Sequence, residues 1–319
     1  MFKVVSLFSG CGGCDQGITG DFSFNGIYYE KLPFDVVFAS DIDKKALATH
    51  KLNLICKKIV CADICDVSSS DIPDHDILIG GFPCQSFSTV NPTKDPFDER
   101  ANLYKQMARI AKDKQPIAFI AENVKGLLTL HKGIIFKRVC LAFEEAGYQL
   151  SFKLMNAADY GVPQKRERLI LVGMRKDLGT SFAFPKETNK DNWIPLSAAV
   201  SELAIKEKKY YFSEKAVQGM KNAKKNMKRG LAQNLDEPSL TITSHLAKVS
   251  INSRDPVLLV DQNRELYRRF TPREAARIQS FPDSFKFVGS EGDAYRQIGN
   301  AVPPVLFWHL ARSLAEQLR

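Results

Sequence analysis

The sequence has no cysteine after Cys140, only two tryptophans, five scattered histidines and no apolar run near the length of a membrane span. Each shortage removes a class of protein. The seven cysteines (Cys11, Cys14, Cys56, Cys61, Cys65, Cys84 and Cys140) are odd in number and confined to the first half. That is no secreted disulfide framework; reduced thiols in a cytosol fit better. Cys11-x-x-Cys14 and Cys61-x-x-x-Cys65 lack neighbouring histidine pairs, so no metal is expected. His50, His75, His131, His245 and His309 stand apart from one another, and each takes a structural reading. Without a span or a signal-peptide pattern, a soluble cytoplasmic protein with no membrane partner is expected. The phosphate cradle G-x-x-x-x-G-K-[ST] is missing, and the dinucleotide pattern G-x-G-x-x-G fails at Asp15. The H-x-E and P-C-x-x-C pair of the zinc base deaminases is also absent.

What remains is ordinary globular composition over 319 residues, 44% apolar and 25% charged, enough for one large domain or two unequal ones. Lys and Arg outnumber Asp and Glu by 45 to 36, a net charge of +9, which favours a polyanionic partner. Nine basic and two acidic residues fall between Lys206 and Gly230, with Tyr210, Tyr211 and Phe212 among them. A charge run is often only a solvated face. Concentration of most of the excess in one weakly patterned segment favours a nucleic-acid surface.

Short apolar runs occur at Val4–Phe8, Val36–Ser40, Ile59–Cys61, Ile77–Gly80, Ile117–Ala121 and Leu169–Gly173. Helical spacing links Leu103, Met107 and Ile110, and again Phe136, Val139, Cys140 and Phe143. Continuous apolar strands alternating with helices predict a doubly wound α/β domain whose parallel sheet is covered on both faces. Glu274–Ile278 and Pro303–Leu318 read as later helices. The layout is then a large domain of residues 1–184 plus 271–319, interrupted by a small basic domain of 185–270.

In such sheets ligands bind beyond the carboxyl ends of the strands. The first run leads into Ser9-Gly-Cys-Gly-Gly13, the second into Asp41 and Asp43, and the third into Asp63. Glycine allows the backbone to turn tightly and approach a ligand. The carboxylates can cap helices or accept from ribose hydroxyls and an adenine amine. The fourth run ends in Gly80-Gly-Phe-Pro-Cys84 and the fifth in Glu122-Asn-Val124, a thiol and a carboxyl candidate for nucleophile and acid. Gln164-Lys-Arg-Glu-Arg168 enters the sixth run. If that strand runs antiparallel to the others, Arg168 reaches the same edge.

Six segments in this order resemble the DNA (cytosine-5)-methyltransferases, in particular the small bacterial restriction–modification enzymes: Phe8-Ser-Gly-Cys-Gly-Gly13, Gly81-Phe-Pro-Cys-Gln85, Glu122-Asn-Val124, Gln164-Lys-Arg-Glu-Arg168, Thr271-Pro-Arg-Glu274 and Gly299-Asn-Ala-Val302. The likeness covers all but about 185–260. It implies a Rossmann-like domain that binds S-adenosylmethionine through Phe8, Gly10, Gly12, Gly13, Asp41, Ile42, Asp63, Pro83, Leu103, Asn300 and Val302, and releases S-adenosylhomocysteine. It implies catalytic roles for Cys84, Glu122, Arg166 and Arg168, with the target cytosine flipped out of duplex DNA. Gln85 and Ser88 would meet the target's backbone, the loop 83–102 would act as a lid, and Thr241-Ile242 would read the sequence. A monomer with a cognate restriction endonuclease as functional counterpart is implied by the same likeness. Two other readings share the motifs: a tRNA-type cytosine-5 methyltransferase, whose usual Cys-Phe-Thr is absent, and an inactive DNA-binding regulator.

Overall fold

The computed structural model describes residues 1–83, 103–223, 232–246 and 257–318. The chain begins with β1 (Phe2–Leu7), α1 (Gly13–Thr19), β2 (Phe22–Phe24), β3 (Ile27–Tyr29), β4 (Phe34–Asp41), α2 (Lys44–Asn53), β5 (Lys58–Cys61) and β6 (Ile77–Gly80). It continues through α3 (Tyr104–Lys114), β7 (Ala118–Val124), α4 (Ile134–Glu145), β8 (Tyr148–Asn156), β9 (Gln164–Lys165) and β10 (Glu167–Arg175). After α5 (Glu214–Ala223), β11 (Ser239–Leu240), β12 (Leu258–Asp261) and β13 (Leu266–Arg268) come α6 (Pro272–Ile278), α7 (Glu291–Asn300) and α8 (Pro304–Gln317).

Seven strands form one sheet in the order β5-β4-β1-β6-β7-β10-β8. The first five are parallel; β10 runs antiparallel to β7 and to β8. The reversed strand meets the condition under which Arg168 faces the cavity edge. Alternate strand residues supply the two faces. Val4, Val36, Ile79, Ile120 and Val172 pack with α1 and α8 through Ile18, Val305, Leu310 and Leu314. Val5, Leu7, Leu78, Phe119 and Leu171 pack with α3 and α4 through Met107, Ile110, Val139 and Phe143. Burial on both sides is why these strands are apolar throughout. The doubly wound expectation holds, and all six runs match strands to within three residues at either end.

Helix α1 lies so close to α8 that a Cβ on Gly17 would stand 2.6 Å from the Pro304 carbonyl oxygen and 2.7 Å from Phe307 Cβ. Glycine is required there by the close approach. The edge strand β8 is not evident in the sequence, because its half-exposed residues break the continuous apolar pattern. The β2–β3 hairpin (Phe22–Tyr29) is likewise unforeseen.

The described residues of 185–270 carry less regular structure. Val217, Met220 and Val257 make a small buried cluster flanked by Phe212 and Tyr267. Leu196, Ile242, Leu246 and Leu258 instead join Ala275, Ile278, Phe281 and Ile298 of the α6–α7 region. Arg268 is fully buried and grips Glu274 with two bonds of 2.8 and 2.7 Å while donating to the Glu202 and Leu203 carbonyls. Glu274 also closes a capping box with Thr271 at the start of α6, with Pro272 behind the cap. One side chain thus starts a helix and pairs a buried cation.

Candidate active site

A cavity of about 1100 Å³ opens beyond the carboxyl ends of the parallel strands. Phe8 and Gly10 reach it after β1, Asp41 and Ile42 at the end of β4, Asp63 after β5, Gly81 and Pro83 after β6, and Glu122 near the end of β7. Leu103, Gly13, Asn300 and Val302 line it from other directions. Phe8 holds a left-handed φ of 53°, unusual for a bulky side chain and typical of a backbone constrained at a site. At Gly10 a Cβ would meet no protein atom within 4 Å, so the turn leaves space for a ligand against the backbone. Asp41 accepts from the Gly10 and Asp43 amides at 2.8 Å each; burial nevertheless pushes its carboxyl above the usual range. Asp63 caps a short turn by accepting from the Cys65 amide at 2.9 Å. Gln297, on the cavity wall, has a buried Oε1 with no hydrogen-bond partner. A buried acceptor of that kind suits a ligand donor.

Glu122 and Arg168 meet from antiparallel neighbours, with Arg168 Nε 2.8 Å from Glu122 Oε1 and each side chain 13% exposed. Gly81 permits this geometry, since a Cβ there would fall 3.1 Å from Glu122 Oε2. Asn123 donates to the Phe82 carbonyl at 2.9 Å, tying β7 to the segment that leads into Cys84. Cys84, Gln85 and Ser88 lie outside the described residues, as does all of the expected lid after Pro83. Arg166 takes a different place from Arg168. It is 2% exposed, and its guanidinium donates to the carbonyls of Ile242 (3.1 Å), Gly299 (3.0 Å) and Ala301 (3.0 Å). Burial lowers its pKa well below the ordinary arginine value.

The floor of the cavity corrects two expectations. Gly12, expected among the cofactor-binding glycines, does not line the cavity; its Cβ position faces Leu54 Cδ1 at 2.4 Å and His50 Cδ2 at 3.0 Å. The glycine is needed for packing beneath the turn. His50 is not isolated either. Its Nε2 lies 3.2 Å from Asp15 Oδ1, and Ser6 Oγ donates to Asp15 Oδ2 at 2.9 Å, all three residues being buried. Thirty-five residues separate the pair, so spacing gave no sign of it. Gly13 packs under the wall, with a Cβ position 2.4 Å from the Val302 carbonyl oxygen. Cys14 lines the cavity, and burial raises its thiol pKa well above the ordinary value. That keeps it protonated and a poor nucleophile. His131 stands exposed at the rim, a position no motif marked.

On the other side, β11 pairs in parallel with β9, bringing Ser239–Leu240 alongside Gln164–Lys165. Thr241 Oγ1 donates to the Lys165 carbonyl at 2.8 Å. Ile242 is 1% exposed and buried in the α6–α7 cluster. Its side chain anchors the segment in that cluster instead of standing at the surface. Thr241 keeps partial exposure. Among the described residues no group of three or more His, Cys, Asp or Glu could hold a metal, and no helix is long and apolar enough to cross a membrane.

The model of the C-5 cytosine-specific DNA methylases matches residues 2–316. The type II methyltransferase M.NlaX of Neisseria lactamica is 36% identical over 327 residues, covering 100% of this chain and 96% of that protein. M.FnuDI of Fusobacterium nucleatum is 34% identical over 347 residues, covering 99% and 95%. Among solved structures, Dnmt2 of S. pombe superposes with a TM-score of 0.76 at 20% identity, over 100% of both chains. The Entamoeba histolytica methyltransferase EhMeth gives 0.77 at 19% identity, over 100% and 99%; at that distance the likeness shows the fold. With the Glu122–Arg168 pair on the cavity wall and a family match over nearly the whole length, the chain belongs to the C-5 cytosine-specific DNA methylases and is a DNA (cytosine-5)-methyltransferase.

Proposed function

We propose that the protein moves a methyl group from S-adenosylmethionine to C5 of a flipped-out cytosine within a short duplex sequence, through a covalent Cys84–C6 adduct. The observation that carries this is the Glu122–Arg168 pair opening on the same cavity as Phe8, Gly10, Asp41 and Asp63. Residues present there fit the cofactor: open space over Gly10, carboxylates at two strand ends and the orphaned Gln297 Oε1. The cofactor supplies an electrophilic methyl on a sulfonium. Asp41 would hold the ribose hydroxyls and Asp63 the adenine amine, while Phe8 and Ile42 flank the ring.

Cytosine C5 is a weak nucleophile until a group adds at C6. The Cys84 thiolate would form that bond as Glu122 gives a proton to N3, leaving an enamine whose C5 attacks the methyl. Loss of the C5 proton to a water molecule then expels the Cys84 thiolate from C6 and returns the N3 proton to Glu122. Arg168 holds the Glu122 carboxyl in place and faces the base O2. Arg166 acts at one remove, fixing backbone around the pair. The 1–184 plus 271–319 portion would be the catalytic domain and 185–270 the target-recognition domain. Lysines of 206–230 would contact phosphates and make binding salt-dependent, and Thr241 would stand near the DNA with Gln85 and Ser88. The enzyme would act in the cytoplasm, as a monomer, to protect host DNA from a cognate endonuclease.

The test is bisulfite sequencing of a plasmid from a methylation-free host expressing the chain, beside a Cys84→Ser control. Protected cytosines at one short motif, absent from the control, are expected. Full conversion everywhere with folded protein would sink the reading and point to RNA or to an inactive regulator.

A further inference from the structure

Three buried polar side chains outside the chemistry join three distant parts of the chain. Gln164 and Gln279 are 0% exposed and Arg166 2%. Ile242 is gripped on both sides of its backbone: its amide donates to Gln164 Oε1 at 2.9 Å, and its carbonyl accepts from Arg166 Nη1 at 3.1 Å. Arg166 Nη2 also holds the Gly299 and Ala301 carbonyls. Gln279 receives a bond from Gln164 at 2.5 Å and itself donates to the Ile298 and Ala301 carbonyls. Gly299 and Ala301 belong to the cavity wall, on either side of Asn300. A Cβ on Gly299 would lie 2.3 Å from the Thr243 carbonyl carbon, so the chain just after Ile242 rests directly on that wall.

We infer that Gln164, Arg166 and Gln279 are positioning residues that couple DNA engagement by the Ser239–Ile242 segment to cofactor occupancy at the Gly299–Val302 turn. This rests on the function proposed above. A buried amide or guanidinium cannot release a carbonyl without leaving it unsatisfied. Closely packed interiors therefore pass a displacement on to the next partner instead of absorbing it. When DNA settles the position of Thr241, the clasp settles the Gly299–Ala301 carbonyls, and the bound cofactor does the same in reverse. Such coupling is reciprocal and typically 5- to 150-fold.

The measurement is the dissociation constant of S-adenosylhomocysteine, by equilibrium dialysis, alone and with a duplex carrying the sequence that the wild-type chain methylates. A scrambled duplex serves as reference. In the wild type the cognate duplex is expected to tighten binding by a factor on the order of 5–100. In Gln164→Met, and independently in Gln279→Met, that factor should fall toward one, while the wild-type value without DNA is approached to within about threefold in Gln164→Met. A merely structural role would weaken binding with and without DNA alike. Full wild-type coupling in either folded variant, or no coupling in the wild type, overturns the inference. Loss of folded protein in both variants, seen by circular dichroism, also counts against it. A wild-type chain that methylates no DNA overturns the underlying reading instead.

Discussion

The sheet and the 185–270 segment keep their shapes by different means. In the sheet, strands are sandwiched between α1 and α8 on one side and α3 and α4 on the other, and side chains such as Ile79, Leu78 and Phe119 are wholly buried. In the segment, three buried side chains make up the small cluster around Met220, and polar anchors do much of the rest: the Arg268–Glu274 pair and the grip on Ile242. Apolar packing is non-directional and tolerates volume-conserving change, whereas a buried ion pair loses everything with one partner. The sheet is thus fixed by volume, and the described part of 185–270 by a few directional bonds beside its apolar contacts with the α6–α7 region.

The strongest way to sharpen that contrast is Glu122→Gln, which leaves packing intact but removes the proton. Methyl transfer should fall about 10²- to 10⁴-fold, with S-adenosylhomocysteine binding by calorimetry nearly unchanged; equal losses in both would break the assignment. Next comes Glu274→Ala, which strands the buried Arg268 and removes half of a capping box. A cost of about 3–5 kcal/mol in urea unfolding is expected, and a change under 1 kcal/mol would show that the anchors matter less than the apolar cluster. Met220→Ala should cost about 2–3 kcal/mol. Its loss should appear as protease cleavage within 185–270 before the sheet opens, and simultaneous cleavage of both regions would remove the distinction.

The smallest effect concerns acid. His309, packed against Tyr160 on α8, has its pKa lowered by burial to about 4 from the ordinary 6.5. The unfolded chain therefore binds the proton more readily. Stability from this group is complete above pH 6.5 and is lost as pH falls toward 4, a drop of about 1–3 kcal/mol. His309→Gln should flatten that limb of the pH–stability curve, and an unchanged limb would move the acid sensitivity elsewhere, with the buried His75 as the next candidate.

Sequence patterns revealed the sheet well because doubly covered strands must be apolar throughout, as in Ile77–Gly80. The edge strand β8 obeys no such rule, with exposed Phe152 and half-exposed Lys153 side by side. Strand ends also pointed to Asp41, Asp63 and Glu122, since the topology alone puts them on one rim. Long-range polar pairs were illegible: neither Asp15–His50 nor Gln164–Gln279 leaves a periodic trace. Gly12 and Gly10 look alike in a glycine run, and only the backbone tells which one faces the cavity.

The reversal of β10 sets a travel distance. Its first residues lie beside Glu122 and its last beside Tyr148, at the opposite rim of the sheet. After Arg175 the chain must climb back roughly 30 Å, the length of a nine-residue strand, before Ser239 can lie next to Gln164. That return leg carries slack. Insertions of different length in that leg would leave both moorings, at β9 and at α6, where they are, so the catalytic rim would keep its shape while the segment changes.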